Sequence, residues 1–273
     1  MALNETNRPQ PSQYEQSPYN VKPREGLIML NTRLSAEVRQ IAINATVSQP
    51  ENQFHVISDL NWCRYERQLK SLLQQTTRGG KLLDIGCGWG FTSAIMAASN
   101  PRLTVTGLDI EQMVSWPCLE KYGARYLVYD SKINPFPDNE FDYCTAFGVL
   151  EHTADDVSFL NEVRRVLKPG GILIIFNLPN TYALFERAAI IFGIKSHDRT
   201  YTAAKIRSLM KSTGFTIDSI ERELFLPAQI ARINKGIAAI YNKHYLTVDK
   251  IDVRLNKICN LLSQSYAIQA RKL

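Results

Sequence analysis

No run of apolar residues in this 273-residue chain approaches the roughly 18 that a membrane-spanning helix requires. Cysteine is sparse and scattered. Cys63, Cys87, Cys118, Cys144 and Cys259 form no CxxC pair and keep no metal-ligand spacing with the four histidines. A zinc centre or a redox dithiol is therefore not expected, and buried, reduced thiols are. The first twenty residues are polar and rich in Pro, Gln and Asn, without the apolar stretch of a secretory leader, so the expected location is cytoplasmic. Acidic residues are scarce in one place. Leu226 to Leu273 holds eight Lys/Arg against Asp249 and Asp252, which accounts for the whole formal charge of +6. That asymmetry points to an anionic substrate or a membrane surface near the C-terminal part, with an ordinary solvated helix face as the plainer reading.

What is present is a core. Apolar residues make up 45% of the chain and charged residues 21%, normal for a globular protein. Residues 1–25 read as a disordered tail. Residues 26–78 read as an N-terminal helical cap, with Trp62, Tyr65, Leu69 and Leu72 at helical spacing. From 79 to 225 short apolar runs alternate with helical stretches. Strands are expected at 81–85, 103–108, 125–129, 141–147, 172–176 and 215–222. Helices are expected after the glycine-rich turn at 86–90 to about 99, at 112–122, at 154–167 and at 203–212. Residues 226–264 read as a helical insertion. Its apolar positions recur at Leu226, Ile230, Ile233, Ile237 and Tyr241, then at Val248, Ile251, Leu255, Ile258 and Leu262. Residues 265–273 alternate as a last strand. Such a chain predicts an α/β fold: a Rossmann-like, seven-stranded, mostly parallel sheet with helices on both faces.

The chemistry sits in Leu82-Leu-Asp-Ile-Gly-Cys-Gly-Trp-Gly90. A strand runs into glycines at alternate positions and then into a helix, an arrangement that lets a ligand lie against backbone. A dinucleotide fingerprint needs glycine at the sixth position from Gly86, where this chain has Phe91. Asp84, before the glycines, would repel a pyrophosphate but suits an ammonium group. Asp109, 19 residues after Gly90, ends the second strand where a carboxylate accepts from ribose hydroxyls.

These features resemble class I S-adenosylmethionine-dependent methyltransferases, in particular the group containing ubiquinone and menaquinone methyltransferases. The resemblance runs from about Lys81 to Gly214. It includes Asp130, Pro135-Phe-Pro-Asp-Asn-Glu-Phe-Asp142, Val149-Leu-Glu-His152, Glu162 to Gly171, His197 to Thr202, and Gly214-Phe215. It implies S-adenosylmethionine as cofactor, with no metal. Asp84, Gly86, Cys87 and Gly88 would hold its methionine end, Asp109 the ribose, and Ile110 and Asp130 the adenine. Phe147 would lie near the reacting methyl.

His152 is the candidate general base, because it follows the fourth strand at its ligand-facing end and imidazole titrates near neutrality. His197, Tyr201 and Tyr65 are candidate substrate contacts. A small, hydrophobic or anionic metabolite is the expected acceptor. A nucleic-acid or protein substrate is the alternative, although no Asn/Asp-Pro-Pro-aromatic sequence follows the fourth strand and no RNA-binding module is visible. Peripheral membrane contact through the basic 226–264 segment stays open, as does oligomeric state.

Overall fold

A computed structural model describes residues 28–47, 58–130, 134–191, 197, 199–227 and 235–273. Two helices come first, α1 (Thr32–Ala45) and α2 (Asp59–Gln75). Then follow β1 (Gly80–Ile85), α3 (Phe91–Ser99), β2 (Leu103–Asp109), α4 (Trp116–Leu119), β3 (Arg125–Val128) and β4 (Phe141–Phe147). After these come α5 (Asp156–Val166), β5 (Leu167–Pro179), α6 (Leu184–Ile191), α7 (Ala203–Ser212) and β6 (Phe215–Glu223). Helices α8 (Lys235–Lys243) and α9 (Tyr245–Ile258) precede β7 (Ser265–Lys272).

The seven strands form one sheet in the order β3-β2-β1-β4-β5-β7-β6. All neighbours pair in parallel except around β7, which runs antiparallel to both β5 and β6. The strand pleat sends successive residues to opposite faces. Leu82, Tyr143 and Ile174 pack with Val38, Leu69 and Ile95 of α1 to α3. Their neighbours Leu83, Cys144 and Ile175 pack with Leu160 and Val163 of α5 and Ile206 of α7. Each fully buried aliphatic side chain contributes about 1.5–3 kcal/mol by leaving water. Both faces are therefore covered, as the mostly apolar strands require.

Local chemistry fixes the boundaries. Ser58 caps α2, Asp155 caps α5 and Thr202 caps α7, each accepting a backbone N–H three residues on. Three expectations need correcting. The helix expected over 112–122 is only α4 followed by a 3₁₀ turn at Glu120–Tyr122, because Pro117 lies in its first turn and admits no helix running in from before it. The fifth strand is longer than 172–176, because Lys168-Pro-Gly-Gly continues β5 through a register shift instead of closing the preceding helix. Of the five cysteines only Cys144 is buried; Cys118 is exposed and the others are half-buried.

Residues 1–27 and 48–57 lie outside the described residues, and so do residues 228–234 of the helical insertion expected over 226–264, whose first described helix is α8. In α9 the expected apolar stripe is split. Val248 is buried and Leu255 half-buried, but Ile251 and Ile258 face solvent. The inward positions are taken instead by Asp249 and Asp252.

Candidate active site

The turn after β1 is held from three sides. The N–H groups of Gly86 and Cys87 donate to the Leu108 carbonyl at 2.7 and 3.1 Å. The Gly88 N–H donates to Asp109 Oδ2 at 2.6 Å, and the Ile110 N–H donates to Asp109 Oδ1 at 2.7 Å. Trp116 Nε1 donates to the Gly88 carbonyl at 2.8 Å. A Cβ on Gly86, where φ is +67°, would stand 2.5 Å from Val149, so packing alone demands glycine there. Gly88 differs. At φ +49° the space its Cβ would enter is open to 4 Å, the cradle that a ligand needs against backbone.

Asp84 stands at the floor of this cradle, buried. Its two oxygens accept from Ser93 Oγ at 2.7 Å and Thr145 Oγ1 at 2.8 Å. Burial pushes its carboxyl up to about 6, against the downward pull of those two hydroxyls. Such a group gains from a cationic partner. Each Asp109 oxygen has accepted one N–H and retains lone pairs for hydroxyl donors. The donor set thus fits an amino acid joined to a ribose.

A cavity of about 600 Å³ opens from this turn. Trp62, Tyr65, Phe91 and Phe147 form a contiguous aromatic wall, with ring centroids 5.2 to 6.3 Å apart. The Tyr65 hydroxyl and Thr92 Oγ1 are 2.7 Å apart, which fixes that ring. At the end of β4, a 3₁₀ turn at Leu150–His152 brings Glu151 and His152 to the cavity. Arg199 holds this turn: its Nε donates to the Glu151 carbonyl at 3.1 Å, and Nη2 reaches the carbonyls of Leu150 and Thr153. Glu151 is 4% exposed and its Oε2 has no hydrogen-bond partner among the described residues. Burial raises its pKa, opposed by a backbone N–H and by nearby His152, His197 and Arg199. The His152 side chain is 61% exposed, with Nε2 4.0 Å from Glu151 Oε1.

The roof comes from distant parts of the chain. Gln68 of α2 donates to Asn177 Oδ1 at 2.8 Å and to Glu223 Oε2 at 2.9 Å. Asn177 has φ +61° at the irregularity where β5 shifts register against β7. Leu224 and Leu226 enter the wall after β6, and Gln264 and Ser265 enter it before and at the start of β7. Arg64, buried, lines the cavity and places Nη2 3.0 Å from Asp252 Oδ1, while Arg67 Nη1 meets Asp249 Oδ1 at 2.6 Å. These two pairs tie α2 to α9.

Of the residues expected from sequence, Asp84, Gly86, Cys87, Gly88, Phe147, His152, His197 and Tyr65 line the cavity. Asp109 and Ile110 stand at the end of β2 beside Gly88, outside the cavity wall, with Ile110 exposed. Asp130, two residues past the end of β3, is exposed and also outside it. Tyr201 is the exception. It is 0% exposed, packs in the core, and donates its hydroxyl to Asp156 Oδ1 at 2.9 Å, so it does not reach the cavity. Glu151, which the sequence offers as a group to orient His152 or to act structurally, also lines the cavity, whereas Arg64, Gln68 and Asn177 were not expected. The acid beside His152 was a visible signal for Glu151; nothing local marks the other three.

The sheet order, the acid–glycine turn after β1 and the second acid after β2 agree with the fold and ligand turn that the resemblance to class I S-adenosylmethionine-dependent methyltransferases implies. Residues 83–175 match the family described as a methyltransferase domain. A Mycolicibacterium smegmatis protein named as a probable S-adenosylmethionine-dependent methyltransferase is 28% identical over 162 residues, 58% of this chain and 60% of that protein. The ubiquinone/menaquinone biosynthesis C-methyltransferase of Desulfotalea psychrophila is 41% identical over 96 residues, 34% of this chain and 39% of that enzyme. The chain thus spans less than two thirds of the length of either relative. The crystal structure of an S-adenosylmethionine-dependent methyltransferase from Mesorhizobium loti aligns with a TM-score of 0.53 at 18% identity, covering 78% of this chain and all of that one. At that identity the likeness is one of fold.

Proposed function

We propose that this protein transfers a methyl group from S-adenosylmethionine to an oxygen, nitrogen or carbon nucleophile of a small, hydrophobic or anionic metabolite. The observation that carries the reading is that Asp84 and Gly88 line an aromatic-walled cavity while Asp109, just outside its wall, accepts the Gly88 N–H. S-adenosylmethionine, when bound, supplies a methyl carbon already activated by its sulfonium. Asp84 would hold the methionine ammonium and Asp109 the ribose hydroxyls. Gly86, Cys87 and Gly88 would line the backbone cradle, with Ile110 and Asp130 at the adenine.

The acceptor side falls to other residues. Phe147 and Tyr65 would exclude water and align the nucleophile with the methyl, and alignment in a dry site supplies much of the rate of an in-line displacement. His197 would contact the acceptor. His152 would take the proton of an acceptor that arrives protonated, and Glu151 would stabilise the imidazolium that results. Tyr201 has no such part. The half of the cavity formed by Leu224, Leu226 and the aromatic wall favours an acceptor with apolar surface.

Calorimetric titration with S-adenosylmethionine, S-adenosylhomocysteine and NAD tests the cofactor assignment. Micromolar binding of the first two and none of NAD is expected. Absence of both sulfur ligands, with candidate quinol and phenol acceptors present or absent, overturns it.

A further inference from the structure

The insertion between β6 and β7 presents two opposite faces. On α9 the positions Val248, Asp249 and Asp252 are buried, and both acids are engaged with Arg64 and Arg67 of α2. On the other side Thr247, Lys250, Ile251, Arg254, Lys257 and Ile258 are exposed. They step by three and one, so they share one face of the helix. Ile258 is 79% exposed and Ile251 44%, and Leu261, just past the helix, is exposed as well.

Charge makes this more than an apolar patch. Asp249 and Asp252 are the sole acids between 226 and 264, and both are turned inward. Every charge that the described part of this insertion shows to solvent is therefore positive: Lys243, Lys250, Arg254 and Lys257. Aliphatic side chains interleaved with cations, on a helix lying at the surface, match the boundary between anionic headgroups and acyl chains. A polyanion such as RNA would use the cations but gain little from exposed isoleucines.

We propose that the outer face of α9 docks on an anionic lipid bilayer. The isoleucines enter the headgroup boundary and Lys250, Arg254 and Lys257 meet lipid phosphates. Because the inner face of the same helix is tied to Arg64, a cavity-lining residue, docking places the cavity within about one helix diameter, on the order of 10 Å, of the lipid surface. The surface stands independently of methyl transfer. Combined with that reading, it implies an acceptor drawn from the membrane.

Sedimentation of the full chain with vesicles tests the proposal, using phosphatidylcholine alone or mixed with phosphatidylglycerol, at low and high salt. Binding is expected to the mixed vesicles only, and to weaken with salt. Each cation is worth about fivefold at such a surface, so neutralising Lys250, Arg254 and Lys257 to Gln should weaken binding by roughly 100-fold. Ile251→Ser with Ile258→Ser should weaken it by about tenfold or more. Unfolding curves matching the parent exclude misfolding of either variant. No binding to mixed vesicles overturns the proposal. So does binding that ignores both sets of substitutions, or binding that ignores the isoleucines and is fully displaced by RNA. The S-adenosylmethionine titration is read separately, so failure of the cofactor assignment and failure of the docking surface are distinguishable.

Discussion

The floor and the roof of the cavity are built by different physics. At the floor, Asp84 is held by neutral hydroxyls of Ser93 and Thr145, and Asp109 by the backbone N–H groups of Gly88 and Ile110. These groups lie on β1, β2 and β4, in the turn after β1, in the first turn of α3 and just past β2. At the roof, α9 is fastened to α2 by Arg64–Asp252 and Arg67–Asp249, pairs joining residues far apart in the chain. Short bonds from neutral hydroxyls and backbone N–H groups fix positions tightly and leave little to vary. Buried charge pairs tolerate different surroundings but penalise the loss of either member. The difference suits a site whose cofactor end keeps one shape while its acceptor end is free to differ.

Breaking the roof should show the largest effect. Asp252→Ala leaves Arg64 buried without its counter-ion, a change that costs about 3–5 kcal/mol. Urea unfolding should register that loss, or an early transition of the insertion alone. The pair replaced together, Arg64→Met with Asp252→Leu, should recover much of it, and equal losses in the single and double variants would refute the ion-pair account. Cofactor affinity should change little in the double variant, since neither residue belongs to the floor.

Asp109→Ala attacks the floor. On the proposed ribose assignment it would remove charge-assisted bonds to two hydroxyls, each worth about 1.5–3 kcal/mol, and it also frees the Gly88 turn. Calorimetry should show affinity for S-adenosylmethionine falling at least about 100-fold, with modest change in thermal stability. Unchanged affinity would remove the ribose assignment.

A pH series sharpens the contrast at Asp84. Burial raises its pKa from 3.8 to about 6, so the folded apo-protein binds this proton more tightly than the unfolded chain. The group's contribution to stability is therefore fully present below about pH 4 and is lost as pH rises through about 6. Cofactor binding runs the other way. Pairing with an ammonium needs the ionised carboxylate, so affinity should drop about tenfold per unit below pH 6. Asp84→Asn should bind weakly and without that slope; a slope that survives the substitution belongs to another group. The smallest effect is expected from Ser93→Ala. Losing one hydrogen bond of about 1 kcal/mol to the ionised form should move the midpoint of that slope upward by less than about one unit.

The same division explains what the sequence disclosed. Strand and helix alternation is written locally in apolar runs, so the sheet was legible, and Asp84 and Asp109 stand at strand ends next to recognisable glycines. Tyr201 was misplaced because its fate depends on Asp156, a partner far away in the chain, and its neighbour Thr202 serves as the helix cap. Isoleucine spacing in α9 gave a stripe but not its direction. Only the presence of Arg64 and Arg67 on another helix turns the acids inward and the isoleucines out. Helical periodicity finds an amphipathic element; it does not say which face has a partner.

The insertion begins and ends at one place. Glu223 pairs with Ser265 across the ladder, and the Gln264 N–H closes onto the Leu224 carbonyl at 2.7 Å. A segment whose ends meet can be lengthened, shortened or exchanged with little strain on the sheet, because loop closure depends only weakly on length. The ladder's closing residues Leu224, Gln264 and Ser265 are also cavity walls. The hairpin base thus works as a cassette port, through which evolution or an engineer could graft a different acceptor specificity and a different cellular address in a single exchange while inheriting the cofactor half untouched.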